Sequence, residues 1–392
     1  MRILISPFHY SLSKAGSEIE WSYRLAEKLA EFPDVEFDII YGFKTDSFPT
    51  TPHPRIHEHA LYSRPFAFNT QNSLLFHWRS YRLAKRIIHK QRPHIIHHML
   101  PFAIDRTPNL LALHKNLNDI PLVIGPIQSP LEYPDSQSPF SSLLSSVFYR
   151  LLQGVCARTL ARASVLIPID RQMESRLKKK FHKEKEIVRI PAGLSVEEFS
   201  FTPHTYDKGP LRLFTAGHII NRKGVDVMID ALALVRERGI EAELTIAGSG
   251  PETEALKARA ERYNIADVVH FLGICARPKM LDLYRSSHLY ISMSRGESWG
   301  MVYLEAMACG LPVIASKTIG SETIITHGKS GLLVNRDDAK GLAQAICQLA
   351  YNPAQYAELS RQGRIQVEQH FNWSKIVKKY YQVYQSLLKE SA

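Results

Sequence analysis

Short apolar runs of four to seven residues recur along the chain, and most are followed by a segment with helical periodicity. RILIS (2–6) leads to a helix over about 17–31, and FDIIYG (37–42) follows. Helix 73–91 precedes HIIHHM (94–99), PLVIG (121–125) leads to helices around 140–162, SVLIPI (164–169) leads to another helix, and EIVRIP (186–191) closes the series. Strands this short and this apolar are buried on both faces, which a parallel sheet covered by helices provides. The stretch AGLSVEEFSFTPHTYDKGP (192–210) lacks periodicity and ends in Lys-Gly-Pro. The pattern then restarts with LRLFTAG (211–217), ELTIAG (243–248), VVHFLG (268–273), HLYISMS (288–294), PVIAS (312–316) and GLLV (331–334), with helices at 224–238, 252–263 and 278–286. The expected class is therefore α/β, with two doubly wound Rossmann-like domains facing a central cleft. Their bounds read 1–192 and 211–370, with a linker at 193–210 and a final helix at 371–392 placed to cross back to the first domain. In such sheets ligands sit outside the carboxyl ends of the strands.

At 392 residues the chain has room for two cores. It has no run of 18 apolar residues, and the apolar start of MRILISPFHYSLSK is too short for a signal peptide. Cys156, Cys275, Cys309 and Cys347 show no paired spacing and read as small core residues in a reducing compartment. A cytoplasmic protein is expected. The net charge of +11 is uneven: residues 1–192 hold 26 Lys+Arg against 17 Asp+Glu, and 193–392 hold 23 against 21. The irregular stretch 43–72, rich in Pro, His and aromatics, reads either as a functional loop or as disorder.

The segment GESWGMVYLEAMACG (296–310) places Glu297 and Glu305 eight positions apart in apolar surroundings. A helix should start near Gly300, run to Cys309 and stop at Gly310. Its N-terminus at a strand's carboxyl end is suited to phosphate. Glu305 then lies within the helix and Glu297 in the loop before it; the plainer alternative has Glu297 capping the helix and Glu305 solvated. In TAGHIINRKGVDVMIDALALV (215–235), a strand ending at Gly217 is followed by Asn221, Arg222, Lys223 and Gly224. Adjacent cations at such a junction can neutralise a diphosphate leaving group, or can simply form a solvated basic turn. No D-x-D triplet is present to seat a divalent cation, so fixed Lys and Arg charge would do that work. Ala15-Gly16-Ser17-Glu18 is a small-residue turn into a helix, and GSGP (248–251) reads mainly as a structural turn.

Taken in order, AGSE, RKGVD, TIAGSGP, VVHFLG, Glu297-SWGMVYL-Glu305, EAMACGLPVIAS and SGLLV resemble the retaining glycosyltransferases of family 4, built on the GT-B fold, whose E-x7-E motif this spacing matches. The resemblance implies that Arg222 and Lys223 bind the donor diphosphate and that Glu297 contacts the donor sugar. It also implies that the backbone of Gly300, Met301 and Val302 meets the phosphates and that Glu305 reads the ribose hydroxyls. The base would lie near Gly273 and Ile274, Gly217 would end the strand beneath the donor, and Gly16 would approach the diphosphate from the other domain. Two positions depart from the family: His218-Ile219 follows Gly217 where many relatives have Arg-Leu, and Gly125-Pro126-Ile127-Gln128 stands where many carry a histidine. Gln128, His97 and His98 are the candidates to cover that histidine's role.

The resemblance thus implies a metal-independent hexosyltransferase with no cofactor and a nucleotide diphosphate sugar, foremost a UDP- or GDP-sugar, as co-substrate. The acceptor is expected to be a saccharide, a lipid-linked saccharide or a small molecule, in cell-envelope glycolipid or polysaccharide synthesis. A glycosyltransferase for small acceptors and a nucleotide-sugar epimerase on the same fold are the alternatives. Helix 73–91 sets Arg79, Arg82, Arg86 and Lys90 on one stripe opposite Leu74, Trp78, Tyr81, Ala84 and Ile88, and a second basic cluster runs from Arg171 to Lys185. Such faces are either solvated or dock on an anionic membrane, here the inner face of one. No nucleic-acid motif accompanies them, and no nucleic-acid partner is expected.

Overall fold

The computed structural model describes residues 1–6, 11–12, 17–44, 53–63, 70–99, 109–130, 143–181, 184–203, 206 and 209–390. It separates into two compact units, with crossings at Gly193/Leu194 and Asn372/Trp373. The first unit contains β1 (Arg2–Ile5), β2 (Ser11–Leu12), α1 (Ser17–Ala30), β3 (Glu36–Tyr41), β4 (Phe43–Lys44), β5 (Ile56–Ala60) and α2 (Thr70–Lys90). It continues with β6 (Ile95–His98), β7 (Leu122–Ile127), α3 (Leu143–Arg162), β8 (Val165–Pro168), α4 (Arg171–Phe181) and β9 (Glu186–Ile187). Seven of these strands form a parallel sheet in the order β5-β3-β1-β6-β7-β8-β9, and β2 pairs with β4 separately. Leu4, Ile96, Ile124 and Leu166 cover one face of the sheet and pack with Ala84, Ile88, Leu160 and Leu177 from three helices.

The second unit begins with β10 (Leu211–Ala216), α5 (Val225–Glu237), β11 (Ala242–Ala247), α6 (Thr253–Arg262), β12 (Val269–Gly273) and α7 (Arg277–Ser286). It goes on through β13 (Leu289–Ser292), α8 (Met301–Ala308), β14 (Val313–Ser316), α9 (Ile319–Ile324), β15 (Leu332–Val334), α10 (Ala339–Ala350) and α11 (Pro353–His370). Its parallel sheet runs β12-β11-β10-β13-β14-β15. The order reverses between β10 and β13. Helices on opposite faces diverge there and leave a crevice at the strands' carboxyl ends.

Four expectations change. The irregular stretch 43–72 contains an edge strand, β5, parallel to β3. Its sequence IHEHA hid it, because an edge strand needs few apolar residues: only Ile56 is buried, and Glu58 bonds Tyr23 Oη (2.5 Å) and Lys44 Nζ (3.0 Å). EIVRIP pairs over only two residues. The linker is anchored from its start: Phe199 is buried, Thr202 N–H donates to the Cys309 carbonyl (3.2 Å), and Arg364 bonds the Phe199 carbonyl (2.7 Å). Single side chains and main-chain groups secure it, which leaves no periodic signature. On α2, Ala84 and Ile88 are buried, but Trp78 is 48% exposed with Arg82 stacked 4.8 Å from its ring centroid.

The last helix, α12 (Trp373–Glu390), belongs to the first unit. Phe32 stacks on Tyr381 (4.2 Å between centroids), and Tyr380 and Tyr384 are fully buried. His97 Nε2–H donates to the Gly125 carbonyl (2.8 Å), while Nδ1 accepts from Tyr384 Oη–H (2.7 Å). His98 is equally buried, but neither ring nitrogen has a hydrogen-bond partner among the described residues. Burial holds His97 down to about 4 and His98 to about 3, the latter helped by the neighbouring His77 and His97. The unfolded chain takes up these protons near pH 6.5. Between that pH and about 4 the unfolded state binds more protons than the folded one, so stability is full at neutral pH and falls as pH drops through the window. Denaturant midpoints measured from pH 7.5 down to 4.5 are expected to fall, and His98→Leu should make the decline shallower.

Candidate active site

The apolar run after His288 forms β13, and the chain then turns through 293–300 into α8. Gly300 makes the turn possible. It has φ +91°, and a Cβ there would lie 2.5 Å from Tyr303 Cε2. The helix ends in a Schellman pattern, with Gly310 N–H to the Met307 carbonyl (3.0 Å) and Leu311 N–H to the Ala306 carbonyl (2.9 Å). Met301 and Val302 open α8, where first-turn N–H groups have no partner inside the helix.

Two loops lock together ahead of this helix. After β10 the chain makes a tight turn at Asn221–Lys223, and Gly224 (φ +63°) follows, where a Cβ would lie 2.0 Å from the Met293 carbonyl oxygen. Arg222 Nη1 donates to the Gly296 carbonyl (2.8 Å), and Arg295 N–H donates to the Arg222 carbonyl (2.8 Å). Arg295 also grips Asp226 with two nitrogens (2.8 and 3.1 Å) and Asp337 with its Nε (2.7 Å). From the far side, Gly320 N–H donates to the Glu297 carbonyl (2.8 Å). This clamp sets Lys223 Nζ 2.5 Å from Glu297 Oε2.

The candidate residues read from the sequence occupy distinct places. Thr215, Gly217, His218, Lys223, Ser292 and Val302 line one small pocket at the carboxyl ends of β10 and β13. Glu297 reaches it through Lys223. Glu305 lies farther along α8 with a different set of partners: Oε1 accepts from Arg277 Nη1 (2.9 Å) and Oε2 from Tyr284 Oη–H (2.8 Å). Gly273 (φ +70°) ends β12 and its carbonyl accepts from Gly248 N–H (2.7 Å); Ile274, next to it, is 85% exposed. The glycines of GSGP serve packing, since a Cβ on Gly248 would lie 1.9 Å from the Gly217 carbonyl oxygen. Gln128 is buried, and His97 is fully engaged within the first unit. Gly16 lies outside the described residues.

Sequence reasoning missed Arg277, Tyr284, Arg295 and Tyr303. Arg295 had a signal, since it directly precedes GESWG. The others act through space: Tyr284, Tyr290 and Tyr303 form a buried aromatic floor with Phe214, ring to ring at 5.2–6.3 Å. Burial and then the Glu305 charge push the Tyr284 phenol far up, and burial and then the Glu297 charge do the same for Tyr303, so both remain O–H donors. A fixed cation, a helix start and two held carboxylates at a sheet's switch point suit a phosphorylated ligand with sugar hydroxyls.

Both halves of the chain are similar to known proteins. The family model "Glycosyl transferases group 1" matches residues 196–366, and "Glycosyltransferase Family 4" matches residues 21–198. A D-inositol 3-phosphate glycosyltransferase from Pseudarthrobacter chlorophenolicus is 35% identical over 176 residues, 44% of this chain and 42% of that one. An N-acetyl-alpha-D-glucosaminyl L-malate synthase from Bacillus anthracis is 32% identical over 168 residues, 43% of each chain. The matched segments thus span less than half of these relatives' own length. Among solved structures, a sucrose-phosphate synthase from Thermosynechococcus elongatus superposes with a TM-score of 0.76 at 22% identity, covering 99% of each chain. HepE of Anabaena, solved in complex with UDP, gives 0.71 at 17% identity over 98% of this chain and 100% of that one. These likenesses show the fold, two Rossmann-like parallel-sheet domains of the GT-B type.

Gly300→Ala should lower the unfolding midpoint, because the new methyl meets Tyr303 and the left-handed backbone costs an L residue about 1–2 kcal/mol. Gly154→Ala, on α3 with no atom of the described residues within 4 Å of its would-be Cβ, should raise stability by roughly 0.5–1 kcal/mol. Thermal melts of the two variants check both signs.

Proposed function

The chain belongs to the group 1 glycosyltransferases of family 4, and from that premise we propose that it moves a hexose from a nucleotide diphosphate sugar to a hydroxyl acceptor. The proposal includes retention of anomeric configuration, no metal or other cofactor, and a place in cell-envelope glycolipid or polysaccharide synthesis. The observation that carries it is Lys223 paired with Glu297 beside the start of α8, where the sheet order reverses.

In this mechanism the donor diphosphate draws Lys223 away from Glu297 and lies against the first-turn N–H groups at Gly300, Met301 and Val302, with Arg222 adding charge. Glu297, released from the lysine, accepts hydroxyls of the donor sugar, and Glu305 accepts those of the ribose. As the bond from the anomeric carbon to the phosphate oxygen breaks, negative charge grows on the phosphate, where these fixed donors stabilise it without reorganisation. The acceptor oxygen bonds to the anomeric carbon on the same face, and its proton passes to the departing phosphate oxygen. A UDP-sugar is the first donor to test, since HepE was solved with UDP, and a GDP-sugar the second. The relatives named for inositol 3-phosphate and malate favour a small-molecule acceptor as the second reading. An epimerase would form product without any acceptor. In assays run in EDTA, Lys223→Ala and Glu297→Ala should each lower donor turnover about a hundred- to a thousandfold. Near-wild-type turnover in both variants removes the mechanism, and NMR of the product reads its anomeric configuration.

The proposal places the protein in the cytoplasm, peripheral on the inner membrane face, with no nucleic-acid partner. Among the described residues no helix is long and apolar enough to cross a membrane. Support for contact with an anionic surface comes from α2, which exposes Leu75, Trp78, Arg79, Arg82, Arg86 and Lys90 together. Basic residues near such a surface contribute about 1 kcal/mol each. Pelleting with anionic vesicles should be strong at low salt and lost at high salt; no pelleting at low salt excludes the contact.

A further inference from the structure

Glu305, assigned above to the ribose, is held from two sides. Its side chain is 15% exposed, and each carboxylate oxygen already accepts one hydrogen bond, from Arg277 (2.9 Å) and from Tyr284 (2.8 Å). Both donors come from α7, seven residues and about two turns apart, so they share one face of it. Each donor is itself fixed. Arg277 Nη2 bonds Glu198 Oε2 at 3.1 Å, and its guanidinium lies 4.8 Å from the ring centroid of the buried Phe199. Tyr284 is fully buried, edge-on to Phe214 at 5.2 Å between centroids. Burial works against the Arg277 charge, but Glu305 and Glu198 more than offset it. A carboxylate oxygen has two lone pairs. Among the described residues one lone pair on each oxygen is engaged, which leaves a second on each for a ligand. A ribose presents two neighbouring cis hydroxyls with the matching pair of O–H donors.

We propose that Arg277 and Tyr284 are positioning residues that fix Glu305 as a two-point acceptor for a cis-diol, so that the donor site selects ribonucleotides over 2′-deoxyribonucleotides. This rests on the reading of Glu305 as the ribose contact. Without the two donors the carboxylate would rotate, and its partly buried charge would lack compensation. The planar fork of Arg277 serves Glu305 and Glu198 at once, which the single ammonium of a lysine does less well. The fork is not among the residues implied by the sequence motif, since Arg277 lies between the base turn and the E-x7-E segment.

The test is titration calorimetry of the full chain with UDP, GDP and ADP and with their 2′-deoxy counterparts. The wild-type chain should bind its preferred ribonucleoside diphosphate about tenfold or more tightly than the deoxy form, as expected for a hydrogen bond to a charged group. Glu305→Ala should bring that ratio to about one. Arg277→Met and Tyr284→Phe should each lower it at least about threefold, with Arg277→Lys in between. A Glu305→Ala chain that keeps the wild-type ratio overturns the ribose reading itself. If Glu305→Ala loses the ratio while Arg277→Met and Tyr284→Phe keep it, the positioning role alone falls. Tighter nucleotide binding by Arg277→Met would make the arginine an obstacle and also overturn the proposal, as would a wild-type chain that binds none of the three ribonucleotides. Thermal melts run alongside identify folded variants; should Arg277→Met fail to fold, Arg277→Lys and Tyr284→Phe decide.

Discussion

Backbone packed directly on backbone governs the second unit's site. Where the strands end, the turn after β10 lies against the chain leaving β13 so closely that Gly224 has no room for a Cβ, which would stand 2.0 Å from the Met293 carbonyl oxygen. The GSGP turn meets the end of β10 in the same way. These approaches remove side-chain freedom from the loops and leave their polar groups to bond one another, as Arg222 does with Gly296 and Arg295 with Arg222. A cation and a carboxylate arriving on such loops have few arrangements to choose from. The 2.5 Å pairing of Lys223 and Glu297 follows from that rigidity.

The two glutamates share a motif but not an environment. Glu297 is a loop residue whose carbonyl is tied to Gly320 and whose carboxylate faces a lysine that a diphosphate can claim. Glu305 is a helix residue whose carboxylate is braced by an arginine and a phenol. In the proposed mechanism the first partner exchanges and the second pair stays in place. This division suits a site that must release one carboxylate toward a substrate and keep another still, and fixed dipoles of this kind act without reorganisation at the moment of reaction. The aromatic floor of Phe214, Tyr284, Tyr290 and Tyr303 supports both, with each phenol oxygen spent on a polar group of the site's walls.

Much of the fold was legible because a parallel sheet needs continuous apolar strands and helices that cover both faces, and both leave periodic traces. β10, β11, β13 and β14 were readable for that reason. β5 was not, since an edge strand exposes most of its residues and its polar side chains, Glu58 among them, bond neighbours far off in sequence. Trp78 misled in the other direction: a large aromatic on an apolar helical face remains 48% exposed, with Arg82 rather than the core against its ring. The anchoring of Phe199 and Thr202 was equally hidden, as it depends on isolated contacts with Arg364 and Cys309.

The amino-acid order alone determined that two sets of buried parallel strands would form, that a helix would begin after Gly300, and that Lys223 and the two glutamates would fall on loops or helices at strand ends. Local rules suffice for these, because strand burial, glycine turns and helix starts depend on near neighbours in the chain. Tertiary structure alone decided that Lys223 would meet Glu297 across 74 positions, that Arg277 and Tyr284 would brace Glu305, and that His97 would bond a helix 287 positions away. Pairings of that kind arise from the order of strands in a sheet and the packing of helices upon it, and no periodicity along the chain records which distant side chains such packing brings within hydrogen-bond reach.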